Sequence, residues 1–140
     1  MIMPYISFNG NCEEAFLWYA EVFGGRIQHL SRYGDVPEEV GMPIADGQRD
    51  KVMHAQLLLT EMGGISGTDV MSPIPKDGAV AIHAHLADED AARRIFAVLS
   101  EGGAILGELA TNPPPDDHGV SGGIRDKYGL TWIISAGKSR

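Results

Sequence analysis

One order of signals occurs twice in these 140 residues, and it limits the chain to a small set of folds. An extended apolar run leads to an acidic helix start, an apolar stripe at helical spacing, a glycine pair and three more strand-like runs. The first copy opens with "YISFNGNCEEAFLWYAEVFGG" and the second with "AVAIHAHLADEDAARRIFAVLSEGGAI". In the first, Asn11 followed by Glu14 fits an N-cap with a capping box, and Cys12, Phe16, Tyr19 and Phe23 recur at helix spacing. In the second, Asp88 is the expected cap, with Ala92, Ile95, Phe96 and Leu99 as the buried stripe. The matching exits FGGRI and EGGAI stop both helices. Strands are expected at about 26 to 33, 51 to 60 and 64 to 70 after the first helix, and at about 103 to 110, 119 to 125 and 130 to 136 after the second.

The class is therefore α+β, built from two βαβββ modules at about 1 to 72 and 76 to 137. Their linker lies near Met71-Ser72-Pro73-Ile74-Pro75. Each half is too short to bury its apolar face well alone, so a single domain over 1 to 140 is expected. Two polar or proline-rich loops, Gly34 to Asp50 and Thr111 to His118, are either lids over a cavity or plain surface connections.

Composition removes several functions. A formal net charge of -8 and a pI near 4.9 oppose binding to a phosphate backbone. Polar turns interrupt every apolar run well short of a membrane span, so no membrane partner is expected. The single cysteine, Cys12, excludes an internal disulfide framework and fits a reducing cytoplasm, and the start of the chain shows no secretory signal.

Strand alternation supplies the candidate site. In "AVAIHAHL", Val80, Ile82, Ala84 and Leu86 take the parity suited to packing on a helix, leaving His83 and His85 on the other face. In "VMHAQLLLT", Met53, Ala55, Leu57 and Leu59 pack in the same way, leaving His54 and Gln56 opposite. If these faces curve round one space, His54, Gln56, His83 and His85 line a common pocket, which Asp69 at a strand end can join. Histidines two apart on a strand can ligate a divalent metal, with His54, Asp69 or Glu108 as a third ligand; they can equally move a proton or simply satisfy a wall. Asp69 has a plainer role open to it, accepting from an unpaired backbone N–H. Arg32 and Tyr33 can hold an anionic or aromatic ligand or brace a turn. Cys12 sits in a first helical turn, which favours thiolate, but on the buried stripe, which opposes it. In "LTWIISA", Leu130, Trp132 and Ile134 share the helix-packed face and Thr131, Ile133 and Ser135 the other, so Trp132 reads as core. Trp18 reads as core or interface.

The words "PYISFNGNCEEAFLWYAEVFGG", "RYGDVP", "VMHAQLLL" and "DKYGLTW", in that order over nearly the whole chain, resemble PhnB-like proteins of the vicinal oxygen chelate superfamily, related to glyoxalases, bleomycin-resistance proteins and extradiol dioxygenases. The resemblance implies paired modules forming a cupped mixed sheet, and commonly a homodimer whose subunits complete one another's cavity. It also implies metal ligands at four strand positions in the metal-dependent relatives. Here these match Pro4, a residue around Gly67 to Asp69, Ala81 and Ile133, and the proline, methyl and branched alkyl groups offer no ligand. No metal centre of the usual kind and no cofactor are therefore predicted, with a divalent ion left only to a different His/Asp set. Relatives of this kind are also labelled 3-demethylubiquinone 3-methyltransferases, yet the sequence lacks the Gly-rich strand-to-helix loop and following acidic residue that would hold S-adenosylmethionine.

The expected function is binding of an unidentified small molecule by a cytoplasmic homodimer. The alternatives are a lyase-, isomerase- or dioxygenase-like enzyme using a different metal site or histidine acid–base catalysis, and a purely structural module.

Overall fold

The Asn9-Gly10 turn, with Gly10 at φ +104°, carries strand β1 (Tyr5–Phe8) into helix α1 (Cys12–Phe23). Gly24 then adopts the left-handed conformation that lets the helix stop and its N–H bond back to Ala20. Strands β2 (Arg26–Arg32), β3 (Val52–Thr60) and β4 (Gly63–Asp69) follow. The second half repeats the plan with β5 (Ile82–His85), α2 (Glu89–Ser100), β6 (Ala104–Thr111), β7 (Gly119–Arg125) and β8 (Thr131–Gly137). In this computed structural model, which describes residues 3–71, 80–114 and 116–139, the chain divides into two units, Met1–Pro75 and Lys76–Arg140. The expected linker lies, from Ser72 onward, outside the described residues, as does Pro115 of the second loop.

Each unit holds one four-stranded mixed sheet, ordered β1-β4-β3-β2 and β5-β8-β7-β6. In both, the strand before the helix pairs in parallel with the last strand of its unit, Tyr5 opposite Ser66 and Ile82 opposite Trp132, and the other pairs are antiparallel. Each helix covers one face of its own sheet. Against α1 lie Phe8, Ala55, Leu57 and Ile65, packed on Ala15, Phe16 and Tyr19; against α2 lie Val120, Ile124, Trp132 and Ile134, packed on Ala92, Ile95 and Leu99. Fully burying each of the larger of these side chains contributes roughly 1.5–3 kcal/mol. Close approach fixes two glycines on these faces: a Cβ on Gly67 would stand 2.8 Å from Phe16 Cζ, and one on Gly122 would stand 2.7 Å from Phe96 Cε2.

Three local expectations differ. Asn11 makes no side-chain cap; the Asp69 carboxylate instead takes the N–H of Cys12, the first helical residue, and of Gly10 in the turn before it. Val80 is exposed, since β5 starts only at Ile82. At the start of β3, Val52 rather than Met53 is buried, where the register with β2 shifts between Ser31 and Arg32. Asp88 caps α2 as expected, accepting from Ala91 N–H at 2.8 Å.

Candidate functional site

Beyond the helix-packed faces, each sheet has a face that its own helix leaves uncovered. In the first unit, β3 places His54 and Gln56 there, paired with Ser31 and His29 of β2, while Ser66 of β4 stands between Gln56 and Tyr5. The His54 ring stacks on Tyr5 with centroids 5.9 Å apart and meets His29 at 5.8 Å, giving a row of three rings across the sheet. Tyr5 and His29 are exposed, His54 and Gln56 half-buried.

In the second unit, β5 carries His83 and His85 on the uncovered face, opposite Ile133 and Ser135 of β8. Both imidazoles meet one hydroxyl: His83 Nε2 lies 2.7 Å and His85 Nδ1 2.8 Å from Ser135 Oγ. The rings stand nearly perpendicular, 6.3 Å apart. They line a cleft of about 630 Å³ with Ser135, Ser121, Asn112 and His118 among its polar walls and Ile133 among its apolar ones. Ser121 Oγ donates to Asn112 Oδ1, tying the end of β6 to β7. A hydroxyl bridging two imidazoles can pass a proton between them, because it donates and accepts at one oxygen.

The other candidates are committed to the scaffold. Asp69, expected at the pocket, is 1 % exposed; Oδ1 accepts from Gly10 N–H at 3.0 Å and Cys12 N–H at 2.9 Å, and Oδ2 from Val52 N–H at 2.9 Å. Of its two possible roles it has the capping one, since a carboxylate holding three N–H groups has little left to offer a ligand. Arg32 forms a two-pronged ion pair with Glu13, at 3.0 and 2.7 Å, and also donates to Asp50 O. That guanidinium holds the Glu13 carboxyl below its ordinary range. Tyr33 donates to Asp69 O at 2.7 Å, so neither Arg32 nor Tyr33 is turned to a ligand. Glu108 is exposed on β6. Cys12 is wholly buried, and burial, followed by the nearby Asp69 and Glu13 charges, pushes its thiol up to about 12, which leaves no nucleophile. Trp132 is core, donating from Nε1 to Asp126 at 2.8 Å.

The sequence places Ser135 on the face of Ile133 in "LTWIISA", but its meeting with the histidines comes only from the β5–β8 register. Asn112, Ser121 and His118 meet through the β6–β7 pairing and the intervening loop, which no spacing announces.

The metal site of the metal-dependent relatives does not fit these residues. Pro4, Ala81 and Ile133 carry no donor atom, and the Asp69 oxygens already hold backbone N–H groups. Among the described residues no three His, Cys, Asp or Glu side chains could hold one ion. At α1 the first helical N–H, that of Cys12, faces the Asp69 carboxylate.

Residues 1–135 match the protein family described as 3-demethylubiquinone-9 3-methyltransferase. Among solved structures, the protein PA1353 from Pseudomonas aeruginosa superposes with a TM-score of 0.84 at 29% identity, covering 99% of this chain and 98% of that one. A putative 3-demethylubiquinone-9 3-methyltransferase, PhnB protein, from Bacillus cereus superposes with a TM-score of 0.74 at 25% identity, with the same coverage. Protein YjdN of Escherichia coli is 25% identical over 154 residues, 99% of this chain and 97% of that protein. More distant glyoxalase and fosfomycin resistance proteins share the fold.

Proposed function

We propose a small-molecule-binding role for this chain, which belongs to the family described as 3-demethylubiquinone-9 3-methyltransferase and to the PhnB-like branch of the vicinal oxygen chelate superfamily. The observation that carries the reading is the pair of imidazoles sharing Ser135 Oγ inside a cleft on the helix-free face of the second sheet. The cleft combines polar side chains, among them His83, His85, Asn112, Ser121 and Ser135, with apolar Ile133 and Val120, a mixture that suits a polar organic ligand. His54, in the ring row of the first unit, and Gln56 on the same face are a second proposed contact region. Asp69 supports the first-unit region by holding β4, α1 and the start of β3 in place rather than by touching a ligand.

The test is two-dimensional NMR of tag-free protein with a fragment library, backed by native mass spectrometry for co-purifying organic compounds. Binding should shift the amide signals of His83, His85, Ser121 and Ser135, and a folded His83→Ala/Ser135→Ala variant should lose it. Fragments that bind elsewhere, or bind the variant equally well, overturn the assignment.

A second reading, metal-free acid–base catalysis, is favoured by the His83–Ser135–His85 bridge alone, and turnover that survives chelation but not Ser135→Ala would establish it. The homodimer is likewise a proposal; it draws support from the exposed Ile105 and Leu106 on the sheet-edge strand β6, an apolar strip that a second copy would cover. The cysteine usage keeps cytoplasmic location the preferred expectation. No described helix is long and apolar enough to cross a membrane.

A further inference from the structure

A buried hydroxyl held between two exposed imidazoles ties hydrogen bonding to protonation. His83 and His85 are open to solvent, whereas Ser135, whose Oγ lies 2.7 and 2.8 Å from their near nitrogens, is only 8% exposed. A hydroxyl has two lone pairs and one proton. The near nitrogen of a neutral ring can donate to Ser135 or accept from it, but an imidazolium can only donate. Two donating rings fill both lone pairs and leave the Ser135 proton to a third partner. Among the described residues Ser135 Oγ has no such partner, and the cleft is the open space beside it.

Charge decides which partner can come. The ionisable side chains lining the cleft are His83 and His85 of β5 with Asp116 and His118 of the β6–β7 connection; β7 and β8 contribute none, and no Lys or Arg is among them. While the rings are neutral the only charge is that of Asp116, which repels an anion. With all three rings protonated the lining carries a net charge of +2. Neutral rings can both donate to Ser135 by choice of tautomer, but the cleft then keeps its negative sign. Protonation reverses that sign and turns the hydroxyl outward as a donor. Ile133, 37% exposed and opposite His83 in the β5–β8 register, adds apolar surface.

Resting on the binding role proposed above, we infer that the second-unit cleft is a proton-linked site for a small organic carboxylate. The carboxylate accepts from Ser135 O–H, its apolar body lies on Ile133, and a proton is taken up by the His83–His85 pair. One protonated ring, with its neutral neighbour in the tautomer that donates to Ser135, is sufficient. That single positive charge matches a monoanion. Linkage is reciprocal: the carboxylate raises the proton affinity of the pair by the factor with which protonation raises the affinity for carboxylate. Binding is therefore tightest below the ordinary imidazole range and weakens as pH rises through it, while a neutral ligand of the same shape shows no such dependence.

Benzoate and benzamide, alike in shape, are the probes, titrated by NMR into the tag-free chain at about pH 5.5 and about pH 8.5, on either side of the imidazole range. Benzoate should bind at least about fivefold tighter at the lower pH, with benzamide unchanged. Calorimetry at about pH 7 in buffers of different ionisation enthalpy should show proton uptake with benzoate alone. The ring signals of His83 and His85 should titrate at higher pH when benzoate is bound, while those of His29 on the first sheet stay in place. A folded His83→Gln/His85→Gln variant should lose the pH dependence, and Asp116→Asn should strengthen benzoate binding on the alkaline side. Benzoate affinity that is flat with pH, or a dependence that survives in the double variant and disappears in His118→Gln, overturns the inference. Benzamide binding in the cleft without benzoate defeats the carboxylate class and leaves the binding role standing; a fragment library that moves no cleft signal defeats both.

Discussion

The Asp69 carboxylate accepts a hydrogen bond from the backbone N–H of Cys12 at 2.9 Å, so the last residue of β4 caps a helix that begins 57 positions earlier. The same group takes Gly10 N–H and Val52 N–H, welding a turn, a helix start and a strand start into one buried junction. Asp69→Ala leaves three N–H groups without their acceptor and should destabilise the chain by about 3–5 kcal/mol in urea unfolding. Asn11→Ala, at the position where sequence places the cap, should cost under about 0.5 kcal/mol. Equal losses at the two sites would contradict the assignment.

Cys12 should resist thiol reagents in the native chain and react at once in denaturant. Its thiol is pushed from an ordinary 9.0 up to about 12, chiefly by burial, so the folded state keeps the proton that the unfolded state releases. Stability from this group is whole below about pH 9 and should fall as the pH rises toward about 12, by at most about 1.4 kcal/mol per pH unit. Denaturation midpoints of the wild type and of Cys12→Ala measured from neutral to alkaline pH check it, the variant showing the flatter curve.

On the acid side the Arg32 hydrogen bonds and charge depress the Glu13 carboxyl, so its contribution is present above the ordinary carboxylate value of 4.5 and is lost as pH falls through the lower folded value. The pair is more than a third exposed, and solvent screening limits it to about 1 kcal/mol or less. Glu13→Gln should lower stability slightly at neutral pH and leave it unchanged at acid pH, with salt narrowing the difference. A larger loss at low pH than at neutral pH is the contrary result.

The two faces of the second sheet predict opposite responses to one added methyl group. Gly122→Ala would place a Cβ 2.7 Å from Phe96 and 2.9 Å from the Leu109 backbone, whereas Gly123→Ala finds its nearest neighbour, Ile133 Cδ1, at 3.6 Å. Overpacking should cost the first variant about 1–3 kcal/mol. The second should sit within about 0.5 kcal/mol of wild type by thermal unfolding.

Periodicity made the fold legible. Alternation in "VMHAQLLL" and "AVAIHAHL" separates Leu57 and Ile82, which pack against helices, from His54 and His83, which do not, and the glycine pairs mark both helix exits. Capping at α1 was not legible, because Asn11 has the right side chain in the right place and loses to a buried carboxylate that folding brings in from β4. The same limit hid most of the cleft. His83 and His85 announce themselves by spacing, but the group that couples them, Ser135, lies 50 residues beyond His85 and belongs to the site only through the β5–β8 register. Local pattern reports which way a side chain faces; it does not report what the facing strand supplies.

The parallel pairing of each unit's first strand with its last has a kinetic meaning. On a growing chain Tyr5 has no ladder partner until Ser66 has been made, and Ile82 waits in the same way for Trp132. The hairpin of β3 and β4 can close early, but the sheet is finished only by a contact of high sequence separation, which slows folding and leaves β1 unpaired meanwhile. Truncation just before β4 should therefore release a chain with an unsatisfied strand edge and a tendency to associate, while a polypeptide ending after Asp69 has every strand of the first sheet in hand.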